Sequence, residues 1–186
     1  MVSLNEDEAK QIKSDCKEAW NNIPNRVIGG QLASPSSHNY AVVFLDEMEN
    51  VFCTGVLITR RHVLSNRHCV DFLDTHSDNL GRRRNFFLMG GGTCHSDVIT
   101  PECPHGKDML LLEHTTVAYD SSFAEPKFYL YTYDIALIML KTPITVTAKL
   151  NHICVSHKKL ENFASGSFSL AGWGQKMWTY MTQQMH

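Results

Sequence analysis

His62-Val63-Leu64-Ser65-Asn66-Arg67-His68-Cys69 closes a short apolar run in a histidine set directly beside a cysteine. A histidine at a strand end is most often a satisfied structural residue, so this one needs a partner to mean more. The second half of the argument is Asp134-Ile135-Ala136-Leu137-Ile138-Met139-Leu140, which puts one carboxylate at the head of an apolar, strand-like run. An unpaired charge is costly there, and a partner is implied. His68 fits, because a carboxylate that accepts an imidazole N–H fixes the ring tautomer and stabilises the imidazolium formed during acyl transfer.

Working outward, apolar or alternating runs at 40–45, 51–58, 62–65, 86–89, 109–118 and 135–140 are separated by turn residues. Short strands at such spacing predict an all-β fold built on a closed or nearly closed antiparallel barrel. Segments 71–85 and 90–108, rich in Asp, Asn, Ser, Gly, Pro and His, read as its long loops. Before the barrel, residues 5–20 read as a short amphipathic helix with Leu4, Ala9, Ile12, Cys16 and Ala19 or Trp20 near one face, ended by Asn21-Asn22-Ile23-Pro24-Asn25.

The 186 residues carry 43% apolar and 19% charged side chains and a net charge of −2, enough for one good core and too balanced to attract nucleic acid or an acidic membrane surface. Arg82-Arg83-Arg84 is the densest basic run, and between Gly81 and Asn85 it reads as a solvated loop. No apolar run approaches the about 20 residues needed to span a bilayer. Neither nucleic acid nor membrane is an expected partner.

Five motifs occur in the order and approximate spacing of one family. They are Arg26-Val27-Ile28-Gly29-Gly30, Cys53-Thr54-Gly55-Val56-Leu57-Ile58, His62 to Cys69, Asp134-Ile135-Ala136-Leu137 and Ala171-Gly172-Trp173-Gly174. Together they resemble a trypsin/chymotrypsin-like serine protease over roughly residues 16–174. The resemblance implies a chymotrypsin-like Greek-key barrel over 27–174, the first barrel plus the opening of the second at Gly166–Gly174. It also implies a helical pro-segment over 1–26 and leaves 175–186 as a tail without family character. His68 and Asp134 take the catalytic histidine and aspartate roles. Cleavage between Arg26 and Val27 would be the activation step.

The family places its nucleophile in a Gly-Asp-Ser-Gly-Gly type turn whose backbone N–H groups form the oxyanion hole. Ser165, Ser167 and Ser169 do not make that pattern, and they precede Gly172-Trp173-Gly174, too early in the family order. The nucleophilic serine is therefore absent from these residues. The expectation is a C-terminally truncated serine endopeptidase family member, inactive as this chain, whose full-length form would cleave proteins or peptides by acyl transfer. The alternative is a catalytically dead homologue acting as a binding or regulatory module. Either way, an uncovered inter-barrel face would favour self-association.

Six cysteines cannot be paired from sequence alone. The resemblance implies Cys53 with Cys69, which would pin the histidine-bearing turn, and Cys16 with Cys154, which would tether a pro-segment. Cys94 and Cys103 are left to each other. Their neighbours His95 and His105 invite a zinc reading, but the spacing does not suit paired zinc-binding cysteines, and no metal or cofactor is expected. Complete pairing implies an oxidising, extracellular location, although Met1 to Lys10 starts acidic and has no apolar signal-like core.

Overall fold

The structure, a computed structural model, describes residues 5–19, 37–70, 85–119, 134–155 and 171–173. Helix α1 spans Glu6–Ala19, followed by strands β1 (Ala41–Leu45), β2 (Val51–Leu57) and β3 (His62–Ser65). A single helical turn α2 (Arg67–Val70) leads to β4 (Phe87–Gly90), β5 (Leu110–Leu111), β6 (His114–Tyr119) and β7 (Ala136–Leu140). All strand pairs are antiparallel, and the sheet order is β5-β4-β1-β2-β3-β7-β6.

That order explains the curl of the sheet. Its two edge strands, β5 and β6, are consecutive in the chain with only Leu112 and Glu113 between them. The amide of Leu112 donates to Leu88 O at 2.8 Å on one edge, and Lys141 N donates to Glu113 O at 2.8 Å on the other. A sheet whose edges are joined by two residues has to wrap on itself, which removes the exposed edges a flat sheet would keep. The apolar run expected over 109–118 is divided here into two strands. The cause is tertiary, since the chain changes partner from β4 to β7 in mid-run.

Inside the curl lie Val42, Phe44, Leu57, Val63, Leu88, Ile138 and Leu140, all essentially inaccessible to solvent. Burial of each such side chain contributes about 1.5–3 kcal/mol, so this cluster is the larger stabilising core among the described residues. Alternate residues of β1 point the other way. Val43 and Leu45 pack with Met89 and Met109 in a second cluster that Trp173 partly covers. Because β1 is buried on both faces, Ala41-Val42-Val43-Phe44-Leu45 reads as an uninterrupted apolar run.

Helix α1 matches the expected 5–20 closely. Its start is a capping box: Glu8 N donates to Asn5 Oδ1 at 2.8 Å, and Asn5 N donates to Glu8 Oε2 at 3.1 Å. Ala9, read as lying near one face with Ile12 and Cys16, is exposed, whereas Ile12 and Cys16 are partly buried. The helix meets the barrel through Glu8, Asp15 and Cys16, the last in a disulfide to Cys154.

Candidate active site

Strands β3 and β7 pair from His62↔Met139 to Ser65↔Ala136. Continued past Ser65, this antiparallel register carries the chain into α2 on one side and back to Asp134 on the other. His68 and Asp134, 66 residues apart in sequence, thus arrive at the same end of the same strand pair.

The aspartate is held on both oxygens. Its Oδ1 accepts the backbone N–H of His68 at 2.9 Å, and its Oδ2 accepts from the His68 ring at Nδ1, 2.7 Å away. An ionised carboxylate only accepts, so Nδ1 carries the hydrogen and Nε2 is left as the basic nitrogen of a side chain that remains 56% exposed. Partial burial pushes the Asp134 carboxyl upward and is the largest single influence. It is outweighed by the His68 backbone N–H, the His68 ring and its charge, and the Asn66 amide, so the group ends below the ordinary carboxylate value of 3.8.

Asn66 and Arg67 stand where the family resemblance leads one to expect small residues. Asn66 Nδ2 donates to both Asp134 Oδ2 and Asp134 O at 3.2 Å, giving the carboxylate an additional donor. Arg67 is only 3% exposed, and its guanidinium lies 4.8 Å from the Tyr119 ring centroid on β6. Its cation is thus accommodated against an aromatic face. The histidine turn is closed by Cys69 N donating to Asn66 O and by the Cys53–Cys69 disulfide to β2.

A second motif docks on the same strand. Trp173 N donates to Thr54 Oγ1 at 3.4 Å and Trp173 Nε1 to Thr93 O at 2.9 Å, while Ser65 Oγ donates to Thr54 O at 3.2 Å. A Cβ on Gly172 would come within 3.0 Å of Thr54 Oγ1. Thr54 therefore links the segment 171–173 to the strand that carries the pin of the histidine turn.

Cys94 and Cys103 form the third disulfide, so their sulfurs are not available to a metal. Asp108 Oδ1 accepts the amides of Thr93 and Cys94 at 2.9 and 2.7 Å and closes the base of that loop. The three disulfides are thus Cys16–Cys154 and Cys53–Cys69, as the resemblance implies, and Cys94–Cys103, the pair left over. Arg26, Val27, Arg82-Arg83-Arg84, the serines at 165, 167 and 169 and the tail over 175–186 lie outside the described residues.

Sequence reasoning missed the cluster formed by Asp15, Arg60 and His152. Arg60 donates from Nε and Nη2 to the two Asp15 oxygens, both at 2.8 Å, and His152 Nε2 lies 3.1 Å from Asp15 Oδ2. No local pattern joins residues so far apart, although Asn5-x-x-Glu8 was a readable helix start.

A family model described as Trypsin matches residues 27–185. Coagulation factor IX from Cavia porcellus is 24% identical over 152 residues, covering 81% of this chain and 47% of that protein. The proclotting enzyme of Tachypleus tridentatus is 26% identical over 181 residues, covering 89% of this chain and 44% of that protein. Chymotrypsin-C from Mus musculus is 26% identical over 163 residues, with 85% and 53% covered. The chain spans about half the length of the curated relatives it matches.

Proposed function

The chain belongs to the trypsin family of serine peptidases, and from that premise we propose that His68 is its general base and Asp134 the carboxylate that orients it. The observation that carries the reading is the double grip of Asp134 on His68, at 2.9 and 2.7 Å. With Nδ1 committed to the carboxylate, Nε2 takes the proton of a serine hydroxyl as that oxygen attacks a peptide carbonyl. It then returns the proton to the leaving amine, while Asp134 stays ionised and stabilises the imidazolium between the two steps. The substrate class is protein or peptide, and three disulfides support an extracellular setting. Cleavage between Arg26 and Val27 is the proposed activation event.

These 186 residues contain no Gly-Asp-Ser-Gly-Gly turn. On this reading the 186-residue polypeptide supplies the histidine–aspartate pair of a catalytic triad and no recognised nucleophile turn. By itself it is expected to leave peptide amides uncut and to resist fluorophosphonate labelling. Stoichiometric labelling that His68→Ala abolishes would overturn this. A second reading is a protease-like binding or regulatory module, and the transcript separates the two. An in-frame nucleophile turn after Gly174 points to the peptidase, and an abundant message ending at His186 to the module.

A further inference from the structure

We infer that the turn between β2 and β3, together with the segment around His152, is a receptor for an acidic helix, and that α1 occupies it through paired charges rather than only through its disulfide. Glu8 and Asp15 are seven residues apart, about two helical turns, and therefore share one face of α1. They meet adjacent arginines. Asp15 takes the two-pronged contact from Arg60 at 2.8 Å, and Glu8 Oε1 lies 3.5 Å from Arg61 Nη1.

The receptor side is built in advance. Arg61 Nε donates to Leu140 O at 3.0 Å and Nη2 to Lys141 O at 3.5 Å, which aims its guanidinium along the barrel end. The carbonyl of Arg60 accepts Ile144 N at 2.7 Å, and that of Arg61 accepts Leu140 N at 2.9 Å, so the turn bearing both cations is fixed by β7 and the chain after it. His152, with a side chain 3% exposed, donates Nε2–H to Asp15, while its buried Nδ1 has no partner among the described residues. A histidine desolvated on these terms is matched to the carboxylate it faces.

The described contacts of α1 with the barrel are polar or covalent. Among the described residues, neither core cluster includes a residue of α1. A helix of 14 residues is marginal in isolation, so its helicity reports its attachment. Among the described residues, α1 is joined to the barrel by the Cys16–Cys154 bond and the charge pairs. A planar guanidinium on both oxygens of a carboxylate whose side chain is only 14% exposed is the geometry in which such a pair is strong and specific.

Hydrogen exchange of the α1 amides in the full chain tests this. The Cys16→Ser/Cys154→Ser variant should keep α1 protected, and adding Asp15→Asn should bring its exchange to that of an unfolded peptide while β1 and β7 stay protected. In the disulfide-intact chain, Asp15→Asn alone should speed α1 exchange by about tenfold. Loss of α1 protection in the serine variant with the barrel still protected would overturn the inference. So would an Asp15→Asn chain, disulfide intact, whose α1 exchanges at the original rate.

Discussion

Asp134 binds His68 through both of its oxygens, one on the backbone N–H at 2.9 Å and one on ring Nδ1 at 2.7 Å. The backbone contact orients the carboxylate on the helical turn, and the ring contact then sets the tautomer. A single rotation of the imidazole cannot satisfy Nδ1 elsewhere without leaving the carboxylate short of a donor.

Asp134→Ala should therefore cost stability and free the ring together. A hydrogen bond to a charged group is worth more than a neutral one, but a carboxylate one-third exposed is screened, and the expected loss is about 1 kcal/mol. Denaturant midpoints measure the first effect. The downfield proton of His68 Nδ1 in NMR, present in the parent and lost in the variant, measures the second; its survival would mean that another acceptor holds the ring.

Acid should act in two stages. Burial lowers the His62 and His114 values from 6.5, with Arg61 also lowering His62 and Glu8 opposing. Their neutral forms favour the fold above that pH, and the increment is lost as pH falls through the depressed values. Asp15 and Asp134 follow at lower pH. Burial raises each carboxyl, but Arg60, Gln11 and His152 outweigh it for Asp15, as His68 and Asn66 do for Asp134, and both end below 3.8. The unfolded chain then binds protons more tightly, so this increment is full above about pH 4 to 5 and disappears on further acidification. Denaturant melts across this range should show both slopes. Asp15→Asn should flatten the lower one alone; an unchanged lower slope would exclude Asp15 as a contributor.

Gly55→Ala should destabilise the barrel more than an ordinary surface change. An added Cβ would lie 2.8 Å from Phe44 Cε2, 2.8 Å from Val63 Cγ1 and 3.1 Å from Leu64 O. The last contact is backbone in the paired strand β3, so relief by side-chain rotation is incomplete. Overpacking of this kind costs about 1–3 kcal/mol. Thermal or denaturant unfolding checks it, and a neutral result would show that β2 and β3 can separate at this point.

His68, Asp134 and the strand runs around them were legible because each carries a local signature: a charge at the head of an apolar run, a histidine at a strand end, and period-two or continuous apolarity. The pairings Cys53–Cys69 and Cys16–Cys154 were legible only through resemblance, since distance along the chain says nothing about which sulfurs meet. That Asn66 donates to Asp134 was not legible, because its role depends on where residue 134 lands in space.

Apolar periodicity by itself pointed to a strand-built barrel and to the runs that form its strands, because strand burial follows from side-chain type and period. Where the strand at 109–118 breaks, and how Asp15 finds Arg60 and His152 across 45 and 137 residues, was decided by the tertiary structure. Those outcomes depend on closure of the sheet, which sets long-range neighbours that no local stretch of sequence contains.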